Sequence, residues 1–347
     1  MRRLPLLSLT AVISLGLAAC GGGDKNDKVT STTTAPAPTT APAGAAGFPA
    51  DAAPLTALPQ PDAALRKRVA LVVKIDNAPL GRPQSGLNQA DIVYEEMVEG
   101  GVTRLAAVFQ STDADPVGPV RSARSTDIAF LSALNRPLFA YAGTNAETQK
   151  AVSAAPLVDL SSGAGYRRDS KRPAPYNLFT GTAALFGRAP KDAGPPPPQF
   201  TYRPANTPLA SAGVAPTKKA HVQYKDKIVT DIDYEWNGTG WARKQNGTPH
   251  VDSAGTQVAP PNVVIQFVTY KDTGLVDRSN TRVPEGQLIG EGEAWVLSDG
   301  KIVKGKWAKP TPTDVTRFTD SGGAPIPLTP GRTWVELPKP GTATAGA

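Results

Sequence analysis

The 347-residue chain holds a single cysteine, Cys20, and two histidines, His221 and His250. One thiol cannot close an internal disulfide, and a metal centre, which needs three or four ligands, would have to be built almost without sulfur or imidazole. His250-Val251-Asp252 would put an imidazole and a carboxylate on one face of a strand, but the default reading is a hydrogen-bonded surface histidine. Neither G-x-G-x-x-G nor G-x-x-x-x-G-K-[ST] occurs, which argues against a nucleotide held on a phosphate loop. No G-x-S-x-G elbow is present, and the lone S-x-x-K match, Ser298 to Lys301, falls in a turn. No metal and no cofactor are therefore expected. There is no repeat of fixed period, and no apolar run beyond the N-terminus approaches the roughly 20 residues that a helix needs to span a bilayer.

What is present begins with an address. Arg2 and Arg3 precede a mostly apolar run from Leu6 to Ala19, the pattern of a secretory signal peptide over residues 1–19. Its end, Leu17-Ala18-Ala19-Cys20, is similar to the bacterial lipobox, where small residues precede a cysteine that becomes lipid-modified. Lipidation accounts for both the position and the solitude of Cys20; the alternative is an ordinary signal whose cleavage region happens to contain cysteine. Two acyl chains hold a protein stably at a membrane where one does not. The expected location is thus the extracytoplasmic face of the cell membrane, lipid-anchored.

Residues 20–65 are rich in Gly, Thr, Ala and Pro and poor in large apolar side chains, and read as a disordered tether with a reach of roughly 35 to 40 Å. The formal charge is +7, and Arg2 and Arg3 belong to the leader, so the remainder is only mildly basic. That suits an anionic envelope component, and together with the export signal argues against nucleic acid as a partner.

A proline-rich stretch divides the rest. We place an N-terminal α/β module at 66–190, a linker at 191–205, a smaller, mostly antiparallel β module at 206–338 and a disordered tail at 339–347, an α+β chain overall. Upstream, Arg68 to Asp76 reads as a buried strand, Thr126 to Asn135 as a helix, and the stretch from Pro137 as another strand. Gly100-Gly101 signals a two-residue hairpin turn with Glu99 opposite Val102 and Met97 opposite Arg104. That register groups Ile92, Tyr94, Val98, Leu105, Ala107 and Phe109 largely on one face, with Glu96 as the exception, and Glu95, Glu99 and Arg104 on the other. Downstream, Asn237-Gly238, Asn246-Gly247 and Asp299-Gly300 mark tight turns between strands.

These segments carry a resemblance. IDNAPLGRPQSGLNQADIVYEEMVEGGVTRLAAVFQS, GPVRSARSTDIAF, RDSKRPAPYNLF, NGTPHVD, NVVIQFV, GEAWVLSDGKIVKGKW and PLTPGRTWVELP are together similar to the YerB-like family of bacterial lipoproteins, over nearly all of Arg66 to Pro338. The resemblance implies an N-terminal α/β module followed by a β-rich one, and no established activity, since these domains are described as of unknown function. Where the family pattern has a histidine before the asparagine of PAPYNLF, this chain has Tyr176, which speaks against a catalytic or metal role there.

The candidate ligand-binding residues are polar groups at strand ends, turns and a helix start: Asp76, Asn77, Arg82, Glu95, Glu99, Arg104, Arg121, Ser122, Arg124 and Asn177. Arg121 and Arg124 precede a helix N-terminus and together would seat an anion. The competing reading pairs them with Glu95, Glu99 or Asp127 to knit the fold. The expected function is non-catalytic: an envelope lipoprotein that binds an anionic wall component or an envelope protein as an accessory or scaffold. The alternative is a wall glycan hydrolase using Asp76 with Glu95 or Glu99, whose chemistry needs two carboxyl groups about 5 to 9 Å apart across one bond.

Overall fold

The computed structural model describes residues 48–277 and 280–346. The leader, Cys20 and the tether up to residue 47 lie outside the described residues. Among the described residues no helix is long and apolar enough to cross a membrane. In chain order the first half contains α1 (Ala63–Arg66), β1 (Leu71–Asp76), β2 (Ile92–Met97), β3 (Thr103–Phe109), α2 (Ser125–Leu131), β4 (Leu138–Ala140), α3 (Ala146–Ala154), β5 (Val158–Asp159), β6 (Tyr166–Arg168), β7 (Leu178–Thr180) and α4 (Thr182–Phe186). Strands fill the second half: β8 (Ala215–Pro216), β9 (Lys219–Lys225), β10 (Val229–Trp236), β11 (Trp241–Gln245), β12 (Thr248–Pro249), β13 (Asn262–Gln266), β14 (Tyr270–Val276), β15 (Arg282–Gly286), β16 (Gly290–Ser298), β17 (Lys301–Lys309), β18 (Arg317–Thr319), β19 (Thr333–Leu337) and β20 (Ala343–Gly346).

Eleven strands form one mixed sheet in the order β18-β17-β16-β13-β19-β2-β3-β1-β4-β5, with β8 against β17. A second, antiparallel sheet runs β12-β11-β10-β9-β20. The α+β class holds at this level, but the two expected modules do not own separate sheets. β19, from the far end of the chain, lies parallel between β13 and β2, pairing Thr333 with Ile92 and Glu336 with Glu95. All five of its residues are buried, and such a strand needs a partner on each edge and cover on each face. The second half supplies one neighbour and the first half the other, so the sheet is continuous across the proline-rich stretch.

That stretch is docked as well. Phe200 stacks on Phe318 at 5.9 Å, Gln199 and Arg203 are buried, and Arg203 donates to the carbonyls of Thr207 and Pro327. The expected tether also ends early. Ala53, Leu55 and Thr56 are buried, the Tyr202 hydroxyl donates to the Leu55 carbonyl, and the Gly331 amide to that of Thr56. Leu55 lies within an apolar plug, APLTAL, that the surrounding Ala and Pro mask in composition. Nor is the tail expected at 339–347 free over its described part, 339–346: β20 adds to the edge of β9, whose unpaired backbone groups it satisfies.

The large sheet is covered on both faces. On one side Leu71, Val73, Ile75, Val93, Leu105 and Trp334 pack against Val222, Tyr224, Ile232, Tyr234 and Trp241 of the five-stranded sheet. On the other, Val72, Ile92, Tyr94, Ala106 and Val108 meet Phe130 and Leu131 of α2 and Val152 of α3, with Tyr94 stacked on Phe130 at 4.3 Å. The hairpin register differs by one residue from the expected one: Met97 pairs with Thr103 and Glu96 with Arg104. Ile92 and Tyr94 therefore stand on the opposite face from Leu105, Ala107 and Phe109, and Glu95 on the opposite face from Arg104. The loop is longer than two residues because it meets the second sheet. The Ile228 amide donates to the Gly100 carbonyl, and a Cβ on Gly101, at φ +91°, would lie 2.3 Å from the Ile228 carbonyl oxygen.

Candidate functional site

On the α2 side of the sheet, β1, β2 and β3 bring cations and carboxylates together one for one. The Lys74 ammonium sits between Glu96 and Asp127, 2.6 Å from Asp127 Oδ1, with all three side chains buried. Arg124 clasps Glu99 with two parallel bonds, 2.6 Å from Nε and 2.7 Å from Nη2, while its amide donates to Asp127 Oδ2. Arg121 is ion-paired with Asp76, and Arg104 lies 4.0 Å from Glu99 and donates to the Ser122 carbonyl. The Ser122 hydroxyl donates to the Ala142 carbonyl. Burial, and then the charge of Asp127, push the Glu96 carboxyl up to about 7 against the pull of Lys74. Burial would raise Glu99 too, but hydrogen bonds and charge from Arg124, with Arg104 behind, hold it below its ordinary value. Burial and the Arg124 charge bring Arg104 down to about 10. Four cations thus face four carboxylates. Arg124, part of the expected anion seat, is committed to Glu99.

The other face carries a second buried network at the seam with the five-stranded sheet. Arg243 on β11 and Glu95 on β2 are both fully buried and paired at 2.6 Å. Glu95 also accepts from Asn77, Thr103 and Trp334. Glu336, the β19 neighbour of Glu95, accepts from Tyr224 and Tyr234, each at 2.6 Å. Burial, and then the charge of Glu95, push its carboxyl up to about 8 despite Arg243. His250 is not the surface residue its sequence suggests. It is 3% exposed, with Nδ1 2.5 Å from Arg243 and Nε2 2.8 Å from Gln84. Burial and then the charges of Arg243 and Arg82 hold it well below its usual value. The neutral ring therefore accepts from Arg243 at Nδ1 and donates from Nε2 to Gln84. Asp252 turns elsewhere and accepts from Asn88.

These placements speak against the carboxylate pairs considered for hydrolysis. Asp76 and Glu95 stand on opposite faces of the sheet, so they cannot flank one bond. Glu95 is sealed from solvent by its partners, and Glu99 is held by Arg124.

An open cleft of about 680 Å³ lies at a third place, where the loop after β1, the β6–β7 hairpin and the turn after His250 meet. Four arginines line it: Arg82 from the loop, Arg167 and Arg168 from β6, and Arg172 from the hairpin turn. Arg172 donates to the carbonyls of Pro83 and Leu80 and lies over the Phe179 ring at 5.4 Å. Arg168 donates to Asn177, and Arg167 pairs with Asp115. The Arg82 Nε is buried and finds no hydrogen-bond partner among the described residues. The Ser85 and Ser253 hydroxyls lie 2.7 Å apart on the wall, and the exposed Leu80 stands at the rim. Asp169 is the carboxylate of the lining. Four guanidiniums therefore meet two carboxylates, Asp115 and Asp169.

The ten sequence candidates divide accordingly. Asp76, Glu99, Arg104, Arg121, Ser122 and Arg124 gather on the α2 side, and Asn77 and Glu95 on the other face. Arg82 lines the cleft, with Asn177 behind Arg168. Sequence reasoning missed Arg167, Arg168 and Arg172, although the run RRDSKR from Arg167 to Arg172 was a visible signal. It also missed Arg243 and Glu336. Each lies two residues from a tryptophan on the same face of a strand, Trp241 and Trp334, and that alternation marks them as buried.

Comparison with known proteins agrees with this architecture. Residues 55–194 match the description "Protein of unknown function (DUF3048) N-terminal domain" and residues 220–335 its C-terminal counterpart. "Putative lipoprotein YerB" of Bacillus subtilis (strain 168) is 26% identical over 299 residues, covering 82% of this chain and 85% of that protein. The crystal structure of the YerB protein from Bacillus subtilis superimposes with a TM-score of 0.71 at 24% identity, over 85% of this chain and 99% of that one. With both halves matched in order, the chain belongs to the YerB-like family, whose two regions are described as of unknown function.

Proposed function

We propose that this protein is a lipid-anchored envelope protein that binds an anionic cell-wall component without transforming it, and that the four-arginine cleft is where it binds. Cys20 after a lipobox-like Leu17-Ala18-Ala19 supports the anchor, as does the likeness to a protein described as a lipoprotein. The observation that carries the binding reading is the imbalance of charge at the cleft, four guanidiniums against Asp115 and Asp169, beside a buried Arg82 Nε that finds no partner among the described residues. A cavity of this volume takes a small group or a polymer segment, whereas a protein partner needs a far wider contact face. Nothing in the carboxylate arrangement favours cleavage.

The test uses the chain without its leader and purified wall material. Co-sedimentation at low salt that fades as salt rises, with no soluble fragments released, is the expected result, because exposed charge pairing is screened. Release of fragments would replace binding with hydrolysis. In the full chain, Cys20→Ala is expected to move the protein from the membrane to the soluble fraction; retention under high salt would rule out lipid as the sole anchor.

A further inference from the structure

Resting on that reading, we infer that the cleft recognises a dianionic phosphate, a phosphate monoester or the end group of a diphosphate, in preference to a carboxylate or a phosphodiester. The charges motivate this. Arg167 is compensated by Asp115, and Asp169 offsets one further cation, which leaves two guanidinium charges unmatched. A wall carboxylate or a phosphodiester carries a single charge, whereas a phosphate monoester carries close to two at neutral pH, with a second pKa near 6.

The donors also fit. Among the described residues the Arg82 Nε has no hydrogen-bond partner, but it is buried, so Arg82 would meet a ligand through its Nη groups; Arg168 makes one neutral hydrogen bond, to Asn177. Arg172 uses Nη1 and Nη2 on the Pro83 and Leu80 carbonyls, which fixes its guanidinium in the wall while leaving its charge uncompensated. Guanidinium forks match phosphate oxygens in pairs, where lysine acts as a point charge. In the Ser85–Ser253 pair one hydroxyl donates to the other, which leaves one further O–H able to donate. Ser253 lies in the region matched as the C-terminal domain and the arginines in that matched as the N-terminal one, so both regions contribute to one seat. Leu80, 63% exposed, with Pro79 and Pro83, offers an apolar rim for whatever bears the phosphate.

The experiment is calorimetric titration of the leaderless chain with glucose 1-phosphate, hexyl phosphate, dimethyl phosphate and acetate at constant ionic strength. Both monoesters are expected to bind at least about tenfold more tightly than dimethyl phosphate or acetate. A gain for hexyl phosphate over glucose 1-phosphate assigns the phosphate to an amphiphile, and the reverse order to a glycan; either supports the dianion. Monoester affinity is expected to fall between pH 7 and pH 5 as the ligand takes up its second proton. Arg168→Gln is expected to lose about tenfold in monoester affinity with an unchanged melting temperature, and Arg168→Lys to recover only part of it. Equal affinity for monoester, diester and acetate, or a flat pH profile, overturns the dianion inference while leaving anion binding intact. Binding of none of the four, together with no sedimentation on wall material, overturns the cleft reading itself.

Discussion

Arg104, Arg121 and Arg124 lie on the α2 side of the sheet among Asp76, Glu96, Glu99 and Asp127, with Lys74 completing a balance of four against four. Arg82, Arg167, Arg168 and Arg172 line an open cleft whose carboxylates are Asp169 in the wall and Asp115 behind Arg167, while Glu95 and Arg243 act on Arg82 with opposite signs. Both groups are arginine clusters near strand ends, and sequence singled out all three arginines of the first but only Arg82 of the second. The difference teaches that cation density does not mark a ligand site; what distinguishes one is cation density in excess of the carboxylates within reach. A matched, buried cluster fixes the fold, and removing one member strands its partner's charge. An unmatched, accessible cluster contributes little to stability and is free to attract an anion.

The comparison breaks first at the buried networks. Arg243→Ala leaves Glu95 fully buried without its cation and is expected to cost about 3 to 5 kcal/mol in denaturant unfolding. A loss below about 1 kcal/mol would mean the network relaxes or admits water. Arg124→Ala is expected to cost about 3 kcal/mol, since its pair with Glu99 is bidentate and largely buried. Arg121→Ala leaves the buried Asp76 without its cation, but Arg121 is itself 23% exposed, so water can reach the gap and the expected cost is smaller, about 1 to 3 kcal/mol. Equal losses in the two would erase the distinction between bracing and peripheral arginines.

The pH dependence is smaller and runs in a definite direction. Glu336 is raised from 4.5 to about 8 in the fold, so its contribution is complete below about pH 4.5 and is lost as pH rises through about 8. Over that window it adds a downward slope of up to about 1.4 kcal/mol per pH unit. Glu336→Gln keeps one acceptor oxygen for the two tyrosine hydroxyls and removes the titrating proton, and is expected to flatten that slope; an unchanged profile would place the titration elsewhere. The smallest effect belongs to the cleft, where Arg168→Gln is expected to alter stability by no more than about 0.5 kcal/mol, since the residue is exposed.

Local signals were legible wherever the chain decides its own conformation. The helix expected from Thr126 to Asn135 appears as α2 plus a 3-10 turn, ending at Asn135 in the left-handed region. Asp299-Gly300 and Asn246-Gly247 both turn with positive φ between paired strands. Asn237-Gly238 instead opens a four-residue loop, because the Asn237 side chain accepts from the Thr239 and Gly240 amides. Tertiary partners decided the rest. Gly100-Gly101 reads locally as a tight turn, yet its glycines serve the close approach of Ile228 from the second sheet, and that contact shifts the register of the whole hairpin. Leu55, the docked proline-rich stretch and β20 are ordered by surfaces far away in sequence, which composition does not reveal. The cleft was hidden for the same reason. RRDSKR shows four cations in six residues, but whether they are neutralised depends on what the fold brings near them.

The most direct test compares the two clusters in one assay: co-sedimentation with wall material at two salt concentrations, alongside thermal melts, for Arg82→Gln/Arg168→Gln and for Arg121→Gln. The account predicts that the cleft double variant loses salt-sensitive binding while melting within about 2 °C of the parent chain, and that Arg121→Gln binds as the parent does. Undiminished binding by the cleft variant, with loss in Arg121→Gln, would contradict it and return the anion seat to the α2 side of the sheet.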